Sequence, residues 1–199
     1  MLKERKHPMT FNLKDLVSDC KEAVLEPDAS SSISEILHNA VSDPEQLHLE
    51  LGRPERAKIE KLYVSASLTI INVIWAPLMT LLPHNHNMWA LIGVYCGREN
   101  NIFWRRIQSD HDGRIEAIGA KSLGPRDTQR LGSNIIHSVT NPTSNFTGAL
   151  HVYGGDFFAV DRSEWDPQTL EELPYDVAKN VCLFEQENAR LSIRKTNCI

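Results

Sequence analysis

The stretch "LLPHNHNMWALIGVYCG" sets His84 and His86 one residue apart, just where the chain turns into an apolar run. In a β-strand residues i and i+2 project to one face, so the two imidazoles stand side by side. Two neutral imidazoles so placed can take adjacent coordination positions on a divalent metal, with the second nitrogen of each ring left to a nearby acceptor. The competing reading is a polar turn at the mouth of a buried strand. A further segment, "IIHSVTN", supplies His137, 51 residues after His86 and beyond several turn signals. Such a separation, with hairpins between, is how a barrel brings a third ligand to a first pair. Of the eight histidines, His7, His38, His48 and His111 fall in a charged tail, on helices or in a turn, where solvated surface positions are expected. His84, His86, His137 and His151 all fall in the strand-rich half.

The elements that must position these side chains change character along the chain. "FNLKDLVSDCKEAVLE" (11–26) has helical apolar spacing and stops at Pro27. A second helix is expected from "SSISEIL", with Ser32 and Glu35 as a capping box. Asp43 followed by Pro44 predicts a third, short helix over 44–51. Residues 1–60 thus read as an N-terminal helical extension. From there "YVSASLTIINVIW", "ALIGVYC" and "NNIFWRRIQ" are β-branched or alternating, and turn signals recur at 111–114, 123–127, 131–134 and 141–145. Many short strands with such punctuation predict a sandwich or barrel over 61–165. From Trp165 onward the chain returns to helix, so 166–199 reads as a C-terminal helical segment packed on the barrel, with Val177, Val181 and Phe184 pointing inward.

The 199 residues are 41% hydrophobic and 24% charged with a net charge of −5. That balance gives no basic footprint for nucleic acid. No apolar run approaches the ~18 residues needed to span a bilayer, and "MLKERKHP" is not followed by an apolar segment, so a cytoplasmic protein without membrane contact is expected. The four cysteines contain no CxxC pair and are expected to be reduced. Arg98 and Glu99 read as a solvated hairpin end, and Arg162, Glu164 and Asp166 as a salt-bridged surface turn. Trp75, Met88 and Trp89 are core residues that can also wall a pocket.

"PHNHNMWALIGVYCG", "IIHSVTN" and "GALHVYGGDFF" together resemble the cupin superfamily, and within it the cysteine dioxygenase-like (thiol dioxygenase-like) non-haem iron proteins. The resemblance covers about Tyr63 to Phe158 and implies a mainly β, double-stranded β-helix (cupin, jelly-roll barrel) with N-terminal helices and a C-terminal helix. It places His84, His86 and His137 on the metal ligands, and Asn141 on the end of the second cupin motif. Asn134 replaces that motif's glycine, a swap expected to keep a left-handed backbone. Ala90 stands where many cupins have a glutamate ligand and where animal cysteine dioxygenases have a cross-linking cysteine. Cys96 is six residues too far on to substitute. "ALHVY" falls on the family's Ser-x-His-x-Tyr relay, so the resemblance gives His151 and Tyr153 catalytic roles, with Ala149 in place of the serine. The family's carboxylate-binding arginine is missing from "KLYVSAS", leaving Arg56, Lys58, Lys61, Arg105 and Arg106 as substitutes. The implied function is an Fe(II), O2-dependent dioxygenase acting on a small anionic thiol or enolate-like substrate, as a monomer or homodimer. A metal-binding isomerase or lyase, holding Mn(II) or Zn(II), and a small-molecule-sensing module are the alternatives.

Overall fold

The computed structural model describes residues 11–196; His7 and Cys198 lie outside the described residues. Three helices come first: α1 (Leu13–Ala23), α2 (Ala29–Val41) and α3 (Pro44–Leu51). Eleven strands follow: β1 (Lys58–Val64), β2 (Thr69–Trp75), β3 (Thr80–Asn85), β4 (Ala90–Cys96), β5 (Glu99–Arg106), β6 (Ile115–Leu123), β7 (Thr128–Leu131), β8 (Ile136–Thr140), β9 (Thr147–Tyr153), β10 (Ser163–Trp165) and β11 (Glu172–Pro174). The helix α4 (Val177–Thr196) comes last.

Two antiparallel sheets have the orders β1-β2-β9-β4-β7 and β11-β10-β3-β8-β5-β6. From β2 to β5 each strand lies in the opposite sheet to the one before, and β6 to β9 repeat the alternation. This double Greek key is the jelly-roll, or double-stranded β-helix, arrangement. Side chains from the inner faces, among them Ile71, Val73, Ile92, Val94, Val139 and Ala149, form the barrel core. Outside the first sheet, Leu16, Cys20, Ile33, Leu37, Val41 and Leu47 of the helices pack on Ile70, Leu91, Tyr95 and Val152. With apolar layers on both faces, β2 and β9 are buried along their whole length, so "TIINVIW" is a continuous rather than a half-polar strand.

Several expectations change in detail. The capping box at Ser32 and Glu35 does not form: α2 starts earlier, with Asp28 accepting from Ser31 N, and Ser32 Oγ instead bonds Glu26. "YVSASLTIINVIW" breaks at Ser65, whose N–H and hydroxyl both bond Leu68 O, so two strands pair where one was read. Helix does not resume at Trp165, because Glu172–Pro174 pairs with Ser163–Trp165 first. In α4 only Phe184 of the expected three points inward; Val177 and Val181 are exposed, and the buried stripe is Asn180, Phe184 and Asn188. The two asparagines turn in because each closes a buried polar gap: Asn180 Nδ2 donates to Glu164, and Asn188 pairs with both backbone groups of Ala57. His48 is not solvated; α3 lays it edge-on against Tyr95, with ring centroids 5.6 Å apart. His38 and His111 are exposed as expected. Asn134 has no left-handed backbone: among the described residues the non-glycine positive φ values belong to Leu78, Asn87, Arg126 and Leu170. The described cysteines, Cys20, Cys96 and Cys182, are all free thiols.

Candidate metal centre

The register of β3 against β8 makes His84 and His137 direct cross-strand partners. His86 lies one residue past the end of β3 and keeps the period-two projection, so all three rings meet on the inner face of one sheet. His86 Nε2 is 3.2 Å from His84 Nε2 and 3.1 Å from His137 Nε2. All three side chains are buried. His84 Nδ1 lies 2.9 Å from the Leu82 carbonyl, which can only accept, so the ring donates there and its Nε2 is a bare lone pair. His137 Nδ1 lies 2.6 Å from Asn101 Oδ1 and donates in the same way. Burial lowers the pKa of His84 to about 3, helped by the Arg162 guanidinium, and burial also drives His86 and His137 well below the usual histidine value. Neutral rings with convergent lone pairs suit a cation. Nitrogens about 2.1 Å from a metal and at right angles to one another are ~3 Å apart, close to the spacings observed here.

His151 and Tyr153 project from β9 of the facing sheet. Tyr153 Oη lies 3.1 Å from His151 Nδ1, and its ring stands edge-on to His86 with centroids 5.1 Å apart. Burial raises the phenol's pKa, so it keeps its proton. Ala149 shares this face but offers no hydroxyl; Ala90, beside Tyr153 in the ladder, offers no carboxylate.

The sequence reading missed the group behind His151. Glu99 is no solvated hairpin end: it is fully buried, while Arg98 beside it is exposed. Its Oε2 lies 3.2 Å from His151 Nε2 and accepts from Trp75 Nε1 at 2.9 Å; its Oε1 accepts from Asn101 Nδ2 at 3.1 Å. Burial alone would raise this carboxyl's pKa, but His151, Asn101 and Trp75 outweigh it and hold it below the usual glutamate value. A signal was present in "ENNIFW": the inward phase of β5 carries Glu99 and Asn101 while Ile102 faces out, an inverted alternation.

Arg162 and Glu164 are likewise buried rather than on a surface turn. Pairing of β10 beside β3, with Glu164 opposite His84, carries Arg162 to the histidine end of the barrel. Its guanidinium lies between the rings of Phe157 and Tyr175, 3.9 and 3.7 Å from their centroids, and its buried Nη1 has no hydrogen-bond partner. Glu164 instead binds Lys179 and Asn180 of α4. The five substitute cations are engaged elsewhere: Arg56 with Glu185, Lys58 with Glu60, Arg105 with Glu116, Arg106 with Glu172, and Lys61 over the Phe158 ring. The cavity between the sheets touches His84, His137, His151, Tyr153 and Tyr175, and Trp75 walls it as expected. Met88 and Trp89 pack instead against the turn at Gly154 and Gly155. Asn141 lies at the other end of β8 from His137, its amide donating to Ala76 O and Asn145 O to close the loops there.

No family model matches the sequence. Solved structures similar to this chain include an RmlC-like cupin family protein with a double-stranded β-helix fold from Methanocaldococcus jannaschii, 12% identical over 51% of this chain and 83% of that chain, TM-score 0.42. Another is a point mutant of Bacillus subtilis oxalate decarboxylase, 18% identical over 54% of this chain and 28% of that chain, TM-score 0.40. The matched region thus spans less than a third of the oxalate decarboxylase, a protein with Mn(II) centres. The fold assignment itself follows from the strand order.

Proposed function

We propose that this chain is a non-haem Fe(II), O2-dependent dioxygenase of the cysteine dioxygenase-like cupin type, acting on a small anionic substrate able to bind the metal through a thiolate or enolate-like atom. The observation that carries the reading is the convergence of the Nε2 atoms of three buried, neutral histidines, His84, His86 and His137, inside the barrel. When bound there, Fe(II) keeps coordination positions open for a substrate anion and O2. The three imidazoles bring no negative charge, so the substrate's own anion is what balances the cation. The Arg162 guanidinium, with its unpartnered Nη1, holds a second anionic group of the substrate, a carboxylate being the best geometric match. Phe157 and Tyr175 keep that guanidinium flat and dry. Tyr153 stands with its phenol oxygen at the cavity, tethered to His151, and Ile71, Val73, Leu81 and Val139 exclude water around it.

Anaerobic loading with Fe(II), followed by oxygen-uptake measurements with a panel of thiols and diketones, tests the reading. Uptake with one of these anions, at one iron per chain, is the expected result. Tight zinc in the protein as purified, with no uptake from any member of the panel, would replace it by Lewis-acid isomerase or lyase chemistry, or by ligand sensing.

A further inference from the structure

Glu99 begins β5 in one sheet, and its carboxylate crosses the barrel to Trp75 and His151 of the other. An ionised carboxylate only accepts hydrogen bonds, and this one meets Trp75 and His151 at Oε2 and Asn101 at Oε1. That one-way polarity runs out along two arms. Toward β9, His151 must present its Nε2 proton to Glu99, which in a neutral ring leaves Nδ1 bare; the Tyr153 hydroxyl, 3.1 Å away, then donates to it and meets the cavity with its lone pairs. Toward β8, Asn101 must turn its NH2 to Glu99 and therefore its Oδ1 to His137. His137 is thereby protonated at Nδ1 and left with a bare Nε2 among the ligand atoms. No serine shares the face of His151, because Ala149 stands there; the ring is gripped from its opposite edge by a charged group instead.

We propose that Glu99 is a positioning residue that fixes where the protons sit on both His151 and His137, so that one buried charge orients Tyr153 at the cavity and prepares a metal ligand at the same time. The consequence for catalysis rests on the metal-site reading above, whereas the proton placement does not. Trp75 anchors the carboxylate independently of both arms, which leaves Glu99 free to act as the common reference. It is a positioning rather than a catalytic residue, since neither oxygen reaches the ligand atoms.

The test uses the full chain, metal-free and labelled with 15N-histidine, in long-range proton–nitrogen correlation spectra at mildly alkaline pH, with His151→Gln and His137→Gln used to assign the signals. The expected pattern is a proton on Nε2 of His151 and on Nδ1 of His137. A proton on His151 Nδ1, alone or together with Nε2, overturns the proposal, and so does a bare Nδ1 on His137. Glu99→Gln places an amide NH2 against one of the donors, and it should invert or mix the His151 pattern and weaken Co(II) binding, followed by its visible absorption, about 10–100-fold. If Glu99→Gln folds with both patterns and Co(II) affinity unchanged, the proposal fails; if it does not fold, the wild-type spectrum alone decides. Absent oxygen uptake with the expected proton pattern would sink the dioxygenase reading and leave this one standing, and the reverse result would do the opposite.

Discussion

At the scale of single residues, the proposed function divides the site into atoms that would hold the metal and atoms that would manage what meets it. His137→Ala removes one of the three convergent nitrogens, so bound iron should fall sharply while the circular dichroism of the barrel persists; full iron content would show that the ligands lie elsewhere. Tyr153→Phe should keep the metal and lower turnover ~10–100-fold, as for other groups just outside the ligand shell. An unchanged rate would make the phenol a packing residue. Arg162→Met preserves much of the stacking between Phe157 and Tyr175 but removes the charge. It should raise KM for a carboxylate-bearing substrate at least tenfold, and much less for its neutral amide; equal effects on both would disconnect Arg162 from the anion. The histidine pair was legible because period two is a local property, and "PHNH" needs nothing beyond a strand to bring its rings together. Glu99 and Arg162 were not. Each sits in a polar, charged stretch that reads locally as surface: Glu99 is paired with His151, 52 residues away, and Arg162 is buried between the rings of Phe157 and Tyr175, a sandwich that no local spacing announces.

At the scale of elements, the two faces of the first sheet do separate work. Odd positions of β4 (Leu91, Gly93, Tyr95) meet the helices, and even ones (Ala90, Ile92, Val94) meet the barrel interior. A Cβ at Gly93 would fall 2.9 Å from Leu37 Cγ and Val41 Cγ1, so α2 seats on β4 at this glycine. Gly93→Val should therefore cost about 1–3 kcal/mol in urea unfolding by overpacking, with metal binding retained because the change faces away from the histidines. Loss of metal in a folded Gly93→Val protein would show that the two faces are coupled. The strands, turns and three N-terminal helices were readable from periodicity and turn residues. The faces of α4 were not, because its inward stripe contains two asparagines that only their buried partners explain. Helix starts also escaped local rules where a rival cap, Asp28, stood upstream of the expected one.

At the scale of the whole molecule, burying three neutral histidines makes stability depend on acidity. In the unfolded chain His84 takes up a proton near its ordinary value of 6.5, but in the folded, metal-free protein it stays neutral down to about 3. Between those values the unfolded state binds more protons, so stability must fall as pH falls through that window and stay level above it. His86 and His137 shift the same way and steepen the decline. Urea midpoints of the metal-free protein across mildly acidic pH check this, and a midpoint that does not move would mean that the rings are hydrated. Among the described residues no helix is long and apolar enough to cross a membrane. Asn188 of α4 grips both backbone groups of Ala57, 131 residues earlier, and Phe184 on the same helix packs on Trp75, the indole that anchors Glu99. The helix thus works as a clasp: it fastens the segment entering β1 and braces the indole from outside the sheet pair, so loosening its inward face would be felt at the buried carboxylate through Trp75.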